Sequence, residues 1–345
     1  MPEMTSWPEL LEALLSRKSL TSDTARAAMR RLMSGGLAEA EIAGFLVALR
    51  AKGETGPELR GLSDAMLDEA LSISVPGPAL DIVGTGGDQL GTVNISTMSS
   101  LVAVGAGARV IKHGNRGASS TAGAADVIEA LGVDLDLPID RVAQSAEQVG
   151  ITFLFAQVFH PAMRHVMPAR RALGIRTAFN FLGPLSNPAR VEAQALGCAA
   201  LEIAPKMADA LAARGTRGLV FRGQDGRDKM TTSAATDVWE IRGERITHSE
   251  IAPEDVGLER VAVEALAGGT ASDNAQIVQD VLRGAGGPIR DAVILNAAAG
   301  LTALDVHADG HVADRLKSNM AKASQSIDSG AAAETLRRWV DFTAG

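Results

Sequence analysis

Across residues 1–74 apolar positions recur at helical spacing. Leu10, Leu11, Leu14 and Leu15 form one face, and Ile42, Phe45, Leu46 and Leu49 form another. Capping signals precede these runs. Ser6 and Thr55 each stand three residues before a glutamate, Glu9 and Glu58, with Pro8 or Pro57 at an early helical position. Gly35 and Gly36 separate two of the helices. The pattern predicts a small helical domain over 1–74 whose leftover apolar stripes would serve as a dimer surface.

The pattern changes at Val75–Pro78, where two prolines and a glycine exclude a helix. Beyond it, short apolar runs end repeatedly in glycine. Ala79–Val83, Arg109–Lys112, Ile151–Phe155, Ala193–Cys198 and Leu219–Phe221 read as buried strands, with helices at Ala122–Leu131, Ile203–Ala213 and Arg290–Leu304 between them. This alternation predicts an α/β domain over 79–345 with a central, mainly parallel sheet flanked by helices. Val238–Ile241 and Arg245–His248 flank Gly243 and Glu244 as a hairpin, which makes the sheet mixed.

Composition narrows the picture. Among 345 residues 46% are hydrophobic, only 3% are aromatic and Tyr is absent, so the core must be aliphatic, and the 36 glycines are free to line ligands with backbone. A formal charge of −8 argues against nonspecific nucleic-acid binding. The single cysteine, Cys198, allows no intrachain disulfide. Glu3, Glu9 and Glu12 interrupt any signal-peptide core, and no apolar run approaches the ~20 residues of a membrane span. A cytoplasmic protein with no membrane partner is expected.

The candidate chemistry lies where strands end. Gly84–Asp88 contains three glycines, and such a loop presents backbone N–H groups to an anion, or simply makes a tight turn. It is neither a Walker loop nor a complete dinucleotide fingerprint. Asn94, Ser96 and Thr97 then line a helix N-terminus, where hydroxyls suit either phosphate or a plain cap. Residues 112–120 gather two cations, an imidazole, an amide and two hydroxyls, a donor set that suits a polyanion. Arg170 precedes the Gly/Pro-rich segment Phe181–Pro188; its planar fork suits a carboxylate, and a solvated helix face accounts for it equally well.

Taken in order, Gly84–Asp88, Asn94–Thr97, Lys112–Arg116, Ala125–Gly132, His160–Met163, Arg176–Asn180 and Gly183–Pro188 resemble the anthranilate phosphoribosyltransferases of tryptophan biosynthesis, over nearly the whole chain. The resemblance implies a helical domain, joined by a helix around 160–175, and a larger α/β domain, with homodimerisation through the helical part. It implies transfer of phosphoribose from phosphoribosyl pyrophosphate (PRPP) to the amine of anthranilate with Mg²⁺, releasing pyrophosphate. Carried over by position, Gly84, Gly87, Asp88, Thr92, Asn94, Ile95, Ser96, Thr97, Lys112, His113, Gly114, Asn115, Arg116, Gly117, Ala118, Ser119, Ser120 and Ala124 would bind PRPP. Gly84, His113, Asn115, His160, Arg170, Gly183 and Pro184 would bind anthranilate, and Ser96 and Asp228 would hold magnesium.

Four positions depart from that pattern. Lys229 follows Asp228 where the family has a second carboxylate, Arg222 replaces a histidine, and Ala122 and Ala124 replace serines. An ammonium cannot coordinate Mg²⁺. Lys229, with Arg222, is expected to contact pyrophosphate and partly replace one metal ion; the alternative places Lys229 in solvent. Two other functional readings stand beside the transferase: a pyrimidine-nucleoside phosphorylase of the same superfamily, and a silent paralogue binding nucleic acid or another ligand.

Overall fold

The computed structural model describes residues 6–117, 122–305, 307 and 309–345. Four helices open it: α1 (Trp7–Leu15), α2 (Ser22–Met33), α3 (Glu39–Lys52) and α4 (Gly56–Asp68). Both expected capping boxes form. Glu9 and Glu58 accept the N–H of Ser6 and Thr55 at 2.8 and 2.9 Å, and each hydroxyl accepts in return at 3.4 Å. Glu58 is fully buried and also accepts from Leu20 N and Lys52 Nζ, both at 2.8 Å, so one cap carboxylate ties three segments together.

The face formed by Ile42, Phe45, Leu46 and Leu49 is not left over. It is buried within the protomer in one cluster with Trp7, Leu10, Leu14 and later residues, including Val166, Ala169 and Leu182. Of the expected stripes Leu15 stays exposed, at 67%, and Val47 beside the second stripe at 41%. Part of its cover comes from residues more than a hundred positions away, which periodicity alone does not reveal.

The rest of the chain alternates strand and helix: β1 (Leu80–Gly84), α5 (Ile95–Gly105), β2 (Val110–Gly114), α6 (Ala124–Ala130), α7 (Ile139–Gln148), β3 (Ile151–Phe155), α8 (Ala156–Phe159), α9 (Met167–Leu173), α10 (Phe179–Leu182), β4 (Ala193–Gly197), α11 (Ala204–Arg214), β5 (Arg217–Gly223), β6 (Thr236–Arg242), β7 (Arg245–Ile251), α12 (Ala271–Leu282), α13 (Pro288–Leu304), α14 (Val312–Asp328) and α15 (Ala331–Ala344). The sheet order is β3-β2-β1-β4-β5-β6-β7, parallel through β5 and antiparallel for the β6–β7 hairpin.

Strand alternation sorts side chains onto two faces. Leu80, Ile82, Ala195 and Leu219 join α5 and α12–α15 in one core. Val83, Leu196, Val220 and Trp239 join α11 and the N-terminal helices in the other. Arg214 fastens that second layer, donating to Asp64 Oδ1 at 3.0 Å, Ser63 Oγ at 2.7 Å and the Leu185 carbonyl at 2.6 Å.

Candidate active site

The order in which the chain adds strands to the sheet reverses between β1 and β4, and in open α/β sheets the ligand crevice lies at the carboxyl ends of the strands flanking such a point. Both strands end there in a glycine, and Gly84 and Gly197 are register partners. The pairing has a steric reason. A Cβ on Gly84 would sit 2.2 Å from Asp228 Oδ2, and one on Gly197 would sit 1.7 Å from the Asp228 carbonyl oxygen. The two glycines form a notch that seats the turn after β5.

Three consecutive side chains of that turn hold the β1 loop. Asp228 is buried, and its Oδ2 accepts the Gly86 N–H at 2.7 Å. Arg227 is completely buried; it donates to Thr92 Oγ1 at 2.9 Å, Asp225 Oδ2 at 2.5 Å, Ser233 Oγ at 3.1 Å and the Val263 carbonyl at 2.6 Å. Lys229 donates to Asp228 Oδ1 and reaches Asp88 Oδ2 at 3.4 Å. It does not point to solvent, since its side chain is only 15% exposed. Burial works against the Lys229 charge, yet the two carboxylates prevail and hold its pKa above the ordinary lysine value. Burial raises the pKa of Asp228, which Lys229 only partly offsets. Arg222, expected with Lys229 at the pyrophosphate, donates to the Ala199 carbonyl at 3.1 Å.

The end of β2 is built differently. Lys112 is 2% exposed, and its Nζ donates to the Ile82 carbonyl at 2.5 Å and to Ser96 Oγ at 3.2 Å. No carboxylate hydrogen-bonds it among the described residues. Burial pushes its pKa down to about 8, against the more distant pull of Asp81. Asp81 is itself held up at about 6 by burial, and accepts from Asn187 Nδ2 at 2.9 Å and the His113 N–H at 3.3 Å.

His113 faces the acceptor side. Its Nδ1 lies 3.0 Å from the Gly183 carbonyl, which can only accept, so Nδ1 carries the proton. Burial, with His160 beside it, pushes its pKa down to about 3, so the ring is neutral at pH 7. Its Nε2 is then a buried acceptor without a partner among the described residues. The His160 ring lies 5.1 Å away and is fixed by Nε2–H donating to the Ser186 carbonyl at 3.0 Å. Pro184 accepts from Gln194 Nε2 at 2.8 Å, which fixes the same segment. Arg170 stacks over Phe179 at 4.9 Å and touches Met167 Sδ at 3.6 Å, with no carboxylate hydrogen-bonded among the described residues. Burial lowers its pKa.

The other candidates fall around these groups. Ile95 is buried and Thr97 Oγ1 is a buried atom without a partner, while Asn94 is engaged by Asn274 at 2.7 Å and the Ala122 carbonyl at 3.2 Å. Asn115 Oδ1 accepts from the Arg116 N–H at 2.8 Å. Arg116 is turned outward to Glu129 and Asp126, and Gly117 N donates to Asp126 at 2.9 Å. Ala124 opens α6, and Phe153 backs Gly114. Ala118, Ser119 and Ser120 lie outside the described residues.

Sequence reasoning gave no role to Arg227, Gly197 or Arg176. Arg176 donates to the Gly87 carbonyl, and its own carbonyl accepts from Arg50, so it joins the helical layer to the β1 loop. Adjacent charges at 227–229 were the available signal for Arg227; the other two depend on contacts spanning 31 and 89 residues.

The sequence pattern of the glycosyl transferase family, helical bundle domain, matches residues 8–70, and that of the glycosyl transferase family, a/b domain, matches 76–333. The chain is 57% identical over 340 residues to the anthranilate phosphoribosyltransferase of Arthrobacter sp. (strain FB24), covering 99% of this chain and 97% of that protein. It superposes on the crystal structure of the Thermus thermophilus anthranilate phosphoribosyltransferase with a TM-score of 0.90 and 43% identity, over 97% of this chain and 99% of that one. The Saccharomyces cerevisiae enzyme in complex with PRPP and Mg matches with a TM-score of 0.88 and 29% identity, over 98% of both chains. On sequence and fold together, the chain belongs to the anthranilate phosphoribosyltransferase family.

Proposed function

We infer that the protein transfers the phosphoribosyl group of PRPP to the amine of anthranilate, giving N-(5-phosphoribosyl)anthranilate and pyrophosphate. The observation that carries this reading is Lys112, a buried ammonium at a strand's carboxyl end with only a carbonyl and a hydroxyl as described hydrogen-bond partners. Burial of a cation with no hydrogen-bonded carboxylate is costly, and an anionic ligand offsets that cost. We assign PRPP to Lys112, the Gly84–Asp88 loop, Thr92, and the α5 N-terminus at Asn94–Thr97. The acceptor side is assigned to His113, Asn115, His160, Arg170 and the Gly183–Pro184 carbonyls.

In the reaction the ribosyl C1–O bond breaks with its electron pair leaving on pyrophosphate, and the amine lone pair forms the C1–N bond. Lys112 and the loop N–H groups stabilise the departing charge. Arg170 holds the anthranilate carboxylate, and His113 Nε2 orients the amine by accepting one of its N–H bonds. The amine attacks as the neutral base, and the extra proton of the resulting ammonium passes afterwards to water.

Magnesium takes oxygen ligands, keeps several waters and is completed by substrate phosphates, so it needs few protein oxygens. The Ser96 hydroxyl fits that demand. The Asp228 oxygens already accept from Lys229 and the Gly86 N–H, so an ion there would have to displace the ammonium. When bound, magnesium neutralises charge on the pyrophosphate.

Domains at 1–74 and 79–345, a homodimer and a cytoplasmic setting belong to the same reading. Exposed Leu15 and Val47 support the dimer, and a single cysteine, which allows no intrachain disulfide, is compatible with a cytoplasmic setting. No helix among the described residues is long and apolar enough to cross a membrane. Mixing the protein with PRPP, Mg²⁺ and anthranilate should extinguish anthranilate fluorescence only when all are present. Absence of turnover, with the protein folded, contradicts the assignment.

A further inference from the structure

The crevice holds two carboxylates that share one cation. Asp228 sits in the Gly84–Gly197 notch, Asp88 ends the β1 loop, and Lys229 Nζ contacts an oxygen of each. Two carboxylates beside a diphosphate site are the donors a divalent ion would use. Among the described residues, however, no three His, Cys, Asp or Glu side chains gather as a metal-ligating group. An ammonium supplies charge and N–H donors but no coordination.

The ammonium is also fixed in place. The residue before it is anchored in the notch, and Arg227 one position earlier is buried with four partners. The two residues before Lys229 are therefore anchored, and its Nζ lies against an oxygen of each carboxylate.

We propose that the Lys229 ammonium is a resident counter-cation for Asp88 and Asp228, so that the protomer engages PRPP with a single divalent ion, the one held with Ser96, and has no second divalent site at this carboxylate pair. The proposal rests on the PRPP reading for its substrate; the carboxylate pair and its ammonium do not depend on it. Lys229 acts here by balancing charge and holding the β1 loop, so it is a positioning residue.

Two measurements separate the proposal from the reading it rests on. In the first, Mn²⁺ bound per protomer is counted by electron paramagnetic resonance with PRPP present. One ion is expected for the wild type and two for Lys229→Glu, which restores a carboxylate. In the second, thermal unfolding is followed with and without Mn²⁺ and with no PRPP. Lys229→Gln leaves two carboxylates without their cation, so Mn²⁺ should raise its Tm by about 2 °C or more and leave the wild type unchanged. Two ions on the wild type, no gain in Lys229→Glu, or an equal Tm response in wild type and Lys229→Gln overturns the proposal. If PRPP fails to bind at all, the substrate assignment falls while the unfolding arm still decides the role of Lys229.

Discussion

Two ammonium groups stand in one crevice with opposite surroundings. Lys229 touches two carboxylates and its pKa is raised; Lys112 hydrogen-bonds a carbonyl and a hydroxyl, and its pKa falls to about 8. The difference separates a cation whose partner is built into the chain from one whose partner has to arrive. The same contrast divides the arginines. Arg227 is consumed by four internal acceptors, whereas Arg170 hydrogen-bonds no carboxylate among the described residues. On the proposed reading, the cations with no hydrogen-bonded carboxylate among the described residues take the ligand, and the paired ones hold the loop that surrounds it.

Substitution at Lys112 should have the largest effect. Lys112→Met keeps the buried stem and removes the charge, and kcat/KM for PRPP should fall by about 100- to 1,000-fold, the loss seen when one donor to a developing oxyanion is removed. The fold should survive, as judged by its unfolding midpoint. An equal loss on replacing a surface lysine such as Lys317 would break the contrast.

Arg170→Met should come next. Losing a charge-assisted contact of roughly 1.5–3 kcal/mol should raise the KM for anthranilate about 10- to 100-fold and leave the KM for PRPP nearly unchanged. A change in PRPP affinity alone would place Arg170 on the wrong side of the crevice.

The pH dependence separates the two lysines without mutation. Free Lys112 loses its proton as pH rises through about 8. A bound anion favours the charged form, so above that pH binding must take up a proton. PRPP affinity should therefore fall by up to about tenfold per pH unit above 8 and stay level just below it. Calorimetric titrations between about pH 7 and about pH 9.5 check this, and the slope should vanish in Lys112→Met.

Gly197→Ala probes the internally paired side. Its Cβ would fall 1.7 Å from the Asp228 carbonyl oxygen, so the turn must shift. A stability loss of about 1–3 kcal/mol in urea unfolding is expected, with slower turnover following from the displaced β1 loop. Wild-type stability would show that the notch is not needed.

Much of this was legible before the fold. The loops at Gly84–Asp88 and Lys112–Gly117, the α5 N-terminus and the β6–β7 hairpin announce themselves by local composition, because turn chemistry and strand-end donors are properties of neighbouring residues. Gly197 was not legible. Its importance comes from being the register partner of Gly84, and register between β1 and β4 is set by the whole sheet. Arg227 read as one charge among several, and only folding brings it to Thr92, 135 residues away, and buries it. Periodicity shows that the Ile42–Leu49 stripe is apolar without showing what covers it, so its burial against residues such as Val166 and Leu182 was not legible.

The most direct measurement is calorimetric titration of PRPP with Mg²⁺ into the wild type, Lys112→Met and Lys229→Gln at pH 7. Lys112→Met should bind at least about tenfold more weakly, the loss of one charge-assisted contact, and Lys229→Gln should keep its affinity when divalent ion is supplied. Wild-type affinity in Lys112→Met, with the protein folded, would contradict this.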